Sequence, residues 1–211
     1  MEQSKNDIRS AYDSAAGNYA KKFINELDYK PRDVEWLSYF AESLGQPGEV
    51  LDIGCGPGHT TEHLRQIGLN PTGMDLSPKM IEHARKLFPE CRFSVGDFFD
   101  LPVADASFQG VLAFYCIVHL KLEELTQAFT EMFRVLKAEG VLLLSFHIGD
   151  CPVFVEDFLE SGASLEFSTF PSTDVAQALE KAGFANLEIH ERPPYEQEAQ
   201  TTRCYIFARK Q

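Results

Sequence analysis

Short apolar segments alternate with amphipathic segments along most of this 211-residue chain. The apolar segments predict strands at Glu49–Ile53, Pro71–Asp75, Arg92–Val95, Gly110–Tyr115 and Gly140–His147. The amphipathic segments between them predict helices at Thr60–Gly68, Ser77–Phe88 and Leu122–Lys137. Ser77 is a suitable N-cap residue, and the proline after it suits the first helical position. Strands that alternate with helices predict a parallel sheet covered on both faces, in an α/β fold.

The two ends of the chain depart from this alternation. Residues 4–44 are helical in pattern, rich in aromatic residues and broken near Tyr29–Pro31, and a turn follows at Gln46–Gly48. After His147 the stretch Ile148–Phe170 is irregular. A helix is then predicted at Ser172–Ala182, ended by Gly183, and two last strands at Asn186–Glu191 and Thr202–Arg209. No repeat, low-complexity tract or linker divides the chain, so we predict one domain.

The segment Val50–Thr61 carries the strongest chemical signal. A predicted strand ends at Asp52, three glycines follow at Gly54, Gly56 and Gly58, and a helix then begins. Glycine has no Cβ, so this loop can turn sharply and bring its backbone close to a ligand. The next predicted strand ends in a second acid, Asp75. A strand, a glycine turn, a helix and a terminal carboxylate together indicate a nucleotide or nucleoside site.

Composition narrows the class of partner. The formal net charge is −13, and a field of that sign repels phosphate backbones and anionic lipids. We therefore expect no nucleic acid or membrane as the main partner. The five cysteines are scattered and form no Cys-x-x-Cys pair, which favours reduced thiols over disulfides or a metal site. The polar start and the lack of a long apolar run lead us to expect a soluble cytoplasmic protein.

The spacing of the glycines bears on which nucleoside is bound. A dinucleotide site has the pattern G-x-G-x-x-G, whereas here it is G-x-G-x-G after Asp52. A carboxylate in the cradle suits an ammonium group better than a pyrophosphate. S-adenosylmethionine has an α-amino group, a ribose and an adenine, and no phosphate. Asp75 is placed to accept hydrogen bonds from both ribose hydroxyls.

The segment resembles motif I of the class I S-adenosylmethionine-dependent methyltransferases, and the resemblance continues through most of the chain. Gly96–Phe98 is similar to the family's adenine-binding element, and Leu101–Pro102 with Ser107–Val111 is similar to the approach to its fourth strand. Phe133–Leu144 is similar to its helix, glycine and fifth strand. Residue 109 is Gln where many members have an acid, a position mostly outside the ligand in the family.

This resemblance implies a Rossmann-like, seven-stranded, mostly parallel sheet with an antiparallel last strand, helices on both faces and N-terminal lid helices. It implies a helical lid over 1–45, a cofactor-binding core over 46–147, a substrate-side insertion over 148–172, and a closing helix and hairpin over 173–211. The implied cofactor is S-adenosylmethionine, leaving as S-adenosylhomocysteine. The residues implied to hold it are Asp52, Gly54, Cys55, Gly56, Gly58, Asp75, Leu76, Met80, Gly96, Asp97, Phe98, Phe114 and Tyr19.

Several of these residues have a plain structural alternative. Met80 suits ordinary core packing as well as the adenine, and Cys55 is a small filler in the loop rather than a nucleophile. Tyr12 and Tyr19 are seven residues apart and share one helix face, where they either face the pocket or pack in the core.

The acceptor side is predicted at the carboxyl ends of the fourth and fifth strands. Tyr115 and His119 follow the fourth strand and His147 ends the fifth; with Tyr12 they are the candidates for substrate binding. Either histidine has the intrinsic pKa of a general base. The structural alternatives are that His119 caps the next helix and that His147 only ends the sheet.

We therefore predict methyl transfer to a small molecule by in-line displacement, driven mainly by proximity. The alternatives are a catalytically silent S-adenosylmethionine-binding protein and, less favoured by the glycine spacing, an NAD-dependent oxidoreductase. The residues leave open the acceptor, the use of a base and the oligomeric state.

Overall fold

The computed structural model describes residues 3–45 and 48–211. Gln46 and Pro47, in the predicted turn before the first strand, lie outside the described residues. The helices are α1 Lys5–Phe23, α2 Pro31–Ser43, α3 His59–Gln66, α4 Pro78–Leu87, α5 Leu122–Val135 and α6 Ser172–Lys181. The strands are β1 Glu49–Ile53, β2 Asn70–Asp75, β3 Arg92–Val95, β4 Phe108–Phe114, β5 Leu136–His147, β6 Val153–Val155, β7 Leu165–Phe167, β8 Phe184–Arg192 and β9 Arg203–Lys210.

One seven-stranded sheet organises this described part of the chain. Its strand order is β3-β2-β1-β4-β5-β9-β8. The first five are parallel, whereas β9 is antiparallel to both of its neighbours. The predicted sheet is confirmed, including the direction of the last strand. The strand order runs from β1 outward to β3 on one side and continues with β4 on the other, so it reverses between β1 and β4. Ligands bind in such sheets at the carboxyl ends of the two strands that flank this reversal.

The two faces of the sheet are covered by different helices. Alternate residues of one strand point to opposite faces, so Leu142 and Leu144 of β5 pack in the cluster that contains α5 and α6. Val141 and Leu143 pack in the cluster that contains Leu37 and Phe40 of α2. Helices on both faces are therefore confirmed.

Two local features differ from the sequence prediction. The helix predicted as far as Lys137 ends at Val135, because Leu136 is already extended and pairs with Phe108 across a register shift. The stretch predicted as irregular contains the hairpin β6–β7. Its strands have three residues each, too short for a periodic signal.

That hairpin and the segment inside it pack against the N-terminal helix. Phe158 and Leu165 form a small apolar cluster with Ala11 and Ala15 of α1. Asn18 Nδ2 donates to the Leu159 carbonyl oxygen at 2.9 Å. The contacts place α1 and the 148–172 segment side by side at the carboxyl edge of the sheet.

Gln109, the departure from the family pattern, has a structural role. Its Oε1 accepts hydrogen bonds from the Glu49 N–H at 2.9 Å and from Lys137 Nζ at 3.3 Å. The amide thus ties β1 and β5 to β4 and lies apart from the cavity described below.

Within residues 3–45 and 48–211, no helix combines the length and apolar character needed to cross a bilayer.

Candidate functional site

A cavity of about 330 Å³ lies at the carboxyl edge of the sheet, beneath α1. Its volume is in the range of sites for small molecules. Most of the residues predicted for cofactor and acceptor line it together. They are Tyr12, Tyr19, Gly54, Gly56, Asp75, Leu76, Met80, Gly96, Asp97, Phe98, Phe114, Tyr115 and His119. Asp52, Cys55, Gly58 and His147, also predicted for the site, are not among its lining residues.

The glycine loop is held by backbone bonds to β2. The N–H groups of Gly54 and Cys55 both donate to the Met74 carbonyl oxygen, at 2.7 and 3.1 Å. All three glycines have positive φ: +69° at Gly54, +53° at Gly56 and +88° at Gly58. Gly58 does not reach the cavity; it precedes α3 and packs on Phe93, 2.6 Å from where a Cβ would lie. The lack of a side chain at Gly58 lets the start of α3 pack closely against Phe93.

Gly54 has the tightest requirement for glycine in the loop. A Cβ there would lie 2.3 Å from Cβ of Cys116, next to the acceptor-side wall. We expect Gly54→Ala to lower the free energy of unfolding by about 2–4 kcal/mol, from the disfavoured φ and the overlap together. Urea unfolding measures it. Gly45→Ala is the matched control, because Gly45 has φ +73° but open space around it; equal losses in both variants would contradict the overlap.

Asp75 joins the glycine loop to the start of α4. Its Oδ2 accepts from the Gly56 N–H at 2.9 Å, and its Oδ1 accepts from the Ser77 N–H at 2.8 Å. Burial raises the pKa of this carboxyl to about 6, although the two N–H groups oppose the rise. The carboxylate is therefore fixed in orientation, lines the cavity and is ionised at neutral pH.

Asp52 lies behind the loop rather than on the cavity surface. It is 1% exposed, and Thr61 Oγ1 donates to its Oδ2 at 2.6 Å. Burial raises its pKa to about 7. Thr61 of α3 thus holds one of the two carboxylate oxygens, and the contact between Asp52 and a ligand ammonium group stays a prediction.

The pH dependence of stability tests the burial of Asp52. A carboxyl whose pKa is higher in the folded than in the unfolded chain binds its proton more tightly when folded. Its contribution to stability is thus complete below about pH 4 and is lost as pH rises toward 7. Between pH 4 and 8 we expect the free energy of unfolding of the wild-type chain to fall by a few kcal/mol more than that of Asp52→Asn. The asparagine amide still accepts from Thr61 but does not titrate. Urea unfolding across that range provides the comparison; parallel curves would contradict it.

Asp97 and the aromatic residue after it form the far end of the cavity. Asp97 Oδ1 accepts from the Phe99 N–H at 3.1 Å, and Lys5 of α1 forms an ion pair with Oδ2. Phe98 and the 1%-exposed Met80 line the same end, so Met80 belongs to the core and to the cavity wall together. Gly96 is required nearby, because a Cβ would lie 2.1 Å from Sδ of Met74.

Tyr12 and His119 form a hydrogen-bonded pair at the opposite end. The Glu166 carbonyl oxygen can only accept, so the 3.0 Å contact requires a proton on His119 Nδ1. Burial lowers the pKa of the ring to about 4, and the neutral ring then has a free lone pair on Nε2. Tyr12 Oη donates to that atom at 2.9 Å. The pair presents a neutral histidine base whose tautomer is fixed by the hairpin.

His147 does not line the cavity. Its Nδ1 contacts Thr201 Oγ1 at 2.7 Å, and burial lowers the pKa of the ring to about 4. Tyr115 lies between the two regions: it lines the cavity, and its hydroxyl contacts the Tyr205 hydroxyl at 2.9 Å. Of the two histidines that the sequence offered as bases, the fold brings only His119 to the cavity.

Sequence reasoning missed the polar residues by which α1 docks over the cavity. Lys5 pairs with Asp97, and Asp13 Oδ1 accepts from Ser77 Oγ at 2.6 Å and from the Lys79 N–H at 3.1 Å. The capping pattern at Ser4 and Asp7 marks the beginning of this helix and was a usable signal for its extent. Nothing in the sequence indicates which residues it meets.

Comparison with known proteins identifies the fold family. Residues 50–140 match the family described as "Methyltransferase domain". The malonyl-[acyl-carrier protein] O-methyltransferase of Erwinia billingiae is 37% identical over 114 residues, which are 53% of this chain and 43% of that protein. The PH0226 protein of Pyrococcus horikoshii superposes with a TM-score of 0.71 at 25% identity, covering 89% of this chain and 93% of that one.

A structure of an S-adenosylmethionine-dependent methyltransferase from Methanosarcina mazei superposes with a TM-score of 0.68 at 20% identity, over 78% of this chain and 93% of that one. Residues 50–140 therefore match a methyltransferase domain, and the fold is that of S-adenosylmethionine-dependent methyltransferases. The chain spans about half the length of the curated relatives it matches.

The cofactor of this methyltransferase family is S-adenosylmethionine, and the cavity fits it. Gly54 and Gly56 line the cavity, so the loop presents its backbone there, and a Cβ added at Gly56 would only touch the Tyr19 ring, 3.6 Å away. The oriented carboxylate of Asp75 stands beside it, and Asp97 with Phe98 lies beyond. A methyltransferase cofactor needs an open loop, a ribose acceptor and an adenine site in this order along the sheet edge.

Proposed function

We propose that this chain transfers the methyl group of S-adenosylmethionine to a small molecule whose accepting atom carries a proton. One observation carries the proposal: Asp75 and Asp97 on the donor side, and the Tyr12–His119 pair on the acceptor side, line a single cavity. The protein's main contribution is to hold donor and acceptor in line and to exclude water.

The donor side has a defined set of roles. The glycine loop would receive the amino-acid end, Asp75 the two ribose hydroxyls, and Asp97 with Phe98 the adenine. When bound, the cofactor supplies an activated methyl group on a positively charged sulfur. Leu76 and Met80 complete the apolar wall on this side. Phe114 and Tyr19 also line the cavity and are assigned to the cofactor.

The acceptor side supplies a proton acceptor. The neutral His119 Nε2 is already bonded to the Tyr12 hydroxyl, whose oxygen retains lone pairs that can take a proton from the acceptor while its own proton passes to Nε2. A pKa of about 4 suits this task, because the methylated acceptor is a strong acid until its proton leaves. Of the relatives, the Erwinia enzyme is by name an O-methyltransferase.

The covering of the cavity supports a small acceptor. We assign α1, the first helix of the lid expected over residues 1–45, to the cover of the cavity and the 148–172 segment to the substrate side, since both pack around the Tyr12–His119 end. The second helix, α2, packs on a face of the sheet instead. The net charge of −13 disfavours a nucleic-acid acceptor.

Two measurements test the proposal. S-adenosylhomocysteine should raise the melting temperature of the chain in a saturable way, whereas NAD should leave it unchanged. Labelled S-adenosylmethionine incubated with the chain and a metabolite extract should then transfer its label to a small molecule. Stabilisation without transfer would indicate a silent cofactor-binding protein, and stabilisation by NAD alone would indicate an oxidoreductase.

A further inference from the structure

Three buried cations converge on one carboxylate beside the cavity. Arg192 donates to Glu198 from Nη1 to Oε2 at 2.6 Å and from Nη2 to Oε1 at 2.9 Å. Lys30 Nζ lies 3.5 Å and Arg203 Nε lies 3.7 Å from Glu198 Oε1. The Tyr195 N–H also donates to Oε2, at 2.8 Å. A bidentate arginine, two more cations and a backbone N–H form a complete receptor for a carboxylate.

The charges in this cluster require an anion at the position of Glu198. Glu26 lies 2.6 Å from Lys30 Nζ and also contacts His59, and Asp33 lies 3.1 Å from Arg192 Nη2. These two acids balance two of the three cations. Without Glu198 the cluster would hold one buried positive charge in excess, which is strongly unfavourable.

Glu198 does not satisfy all the hydrogen-bond donors of the cluster, because Arg203 keeps one N–H unbonded within the described part of the chain. The Arg203 side chain is 3% exposed, and its Nε has no hydrogen-bond partner among residues 3–45 and 48–211. At 3.7 Å the Glu198 oxygen is too far to accept from it. A buried guanidinium N–H that lies beside a carboxylate without bonding to it points to an oxyanion other than Glu198 as its acceptor.

The cluster is separated from the cavity by one side chain. Tyr115 lines the cavity, its ring lies 5.2 Å from Lys30 Nζ, and its hydroxyl bonds to Tyr205, which accepts from Arg192 Nε at 2.8 Å. Tyr115 has φ +53°, a conformation that a tyrosine rarely adopts, so its place is set by these surroundings. A molecule held by the cluster would therefore lie next to the acceptor end of the cavity.

Glu198 is carried by a loop whose neighbouring residues are exposed. It lies in the connection between β8 and β9, where Glu196, Gln197, Ala199 and Gln200 are exposed. Glu198 itself enters the protein, with 2% of its side chain exposed. Its removal would place one carboxylate in water while another takes over the same cations, so the exchange keeps the buried charge balanced.

We propose that Lys30, Arg192 and Arg203 form a binding site for a carboxylate of the methyl acceptor, which Glu198 occupies until the acceptor displaces it. This rests on the proposed function and adds a substrate class: the acceptor is a small carboxylic acid. The Glu198 carboxylate competes with the acceptor's carboxylate for the three cations, and because it is attached by a short loop its effective concentration is in the millimolar range. Free carboxylates compete poorly with it, whereas an acceptor also held by the cavity competes well.

Glu198→Gln tests the site by removing the competitor's charge. Acetate is the probe, acetamide its neutral counterpart, and chloride keeps the ionic strength constant. We expect calorimetry to show acetate binding at least tenfold more tightly to Glu198→Gln than to wild type, with no binding of acetamide. Glu196→Gln, on the exposed part of the same connection, is the matched control and should behave as wild type. Adding Arg203→Gln to Glu198→Gln should abolish the gain.

Equal acetate affinity in Glu198→Gln, Glu196→Gln and wild type would overturn the proposal and leave Glu198 as a structural ion-pair partner. Tighter phosphate than acetate binding would also overturn it, in favour of a tetrahedral oxyanion. If Glu198→Gln does not fold, Glu198→Asp takes its place, because its side chain is one methylene shorter and holds the carboxylate farther from the cations. Its acetate affinity is then compared with those of wild type and Glu196→Gln, and the same outcomes support or overturn the proposal. S-adenosylhomocysteine titrated into each variant separates the two proposals, because its binding depends on the donor side alone.

Discussion

Replacing Asp75 with asparagine will weaken the binding of S-adenosylhomocysteine about a hundredfold. The carboxylate lines the cavity, and the Gly56 and Ser77 N–H groups orient it by one hydrogen bond to each oxygen, so each oxygen keeps a lone pair for a ligand. Hydrogen bonds to a charged acceptor contribute roughly 1.5–3 kcal/mol each, and losing the charge on a group that serves two ribose hydroxyls costs about 3 kcal/mol, or two orders of magnitude in Kd. Isothermal titration calorimetry measures the difference.

The pH dependence of the same titration distinguishes loss of the carboxylate from general damage. Because the pKa of Asp75 is about 6, the wild-type chain should bind about tenfold more weakly at pH 5 than at pH 7, as the protonated carboxyl no longer accepts both bonds. Asp75→Asn should show little of this dependence. Asp105→Asn, an exposed acid paired with Arg134, is the control and should retain wild-type affinity. A folded Asp75→Asn chain with unchanged Kd would refute the cofactor assignment.

Replacing His119 with alanine will lower turnover by a factor of about 10²–10⁴ while leaving the Kd of S-adenosylhomocysteine within a few-fold of wild type. The ring provides the only proton acceptor bonded to Tyr12 among the described residues, and its tautomer is set by the Glu166 carbonyl. Tyr12→Phe should lower turnover in the same direction, because it removes the hydroxyl between the acceptor and Nε2. Initial rates with labelled cofactor, once an acceptor is found, provide the measurement.

His147→Ala is the informative companion to that experiment. The ring has a similarly lowered pKa but contacts Thr201 outside the cavity, so turnover should stay close to wild type. Full activity in both histidine variants would exclude a histidine base and leave proximity as the source of catalysis. Loss of activity in His147→Ala alone would indicate that His147, on the other side of Tyr115, is the base instead of His119.

The features that the sequence predicted well are local ones, which depend on residues that are consecutive in the chain. The turn from Asp52 to Gly58 needs particular residues at particular places, and the structure has positive φ at each of the three glycines. The same is true of Ser77, whose Oγ accepts from the Met80 N–H as an N-cap should. Strand order then follows from the family resemblance rather than from any one segment.

What the sequence left open depends on contacts between distant segments. His119 follows β4 and His147 ends β5, and only the packing of α1 and the β6–β7 hairpin around His119 distinguishes them. Asp52 lies one residue before the end of β1 and Asp75 ends β2, yet Asp52 is buried and bonded to Thr61 whereas Asp75 lines the cavity. The receptor around Glu198 draws its cations from residues 30, 192 and 203, so no local pattern indicates it.

The contact between Gly54 and Cys116 links the two halves of the site. The Cβ of Cys116 stands where a side chain at position 54 would begin, and its thiol side chain also lines the cavity near the acceptor end. A larger residue at 116 would press on the donor loop, because close-packed contacts absorb added volume only by moving. Evolution toward a new acceptor therefore has little freedom at position 116, and changes in specificity should accumulate instead on α1 and the 148–172 segment.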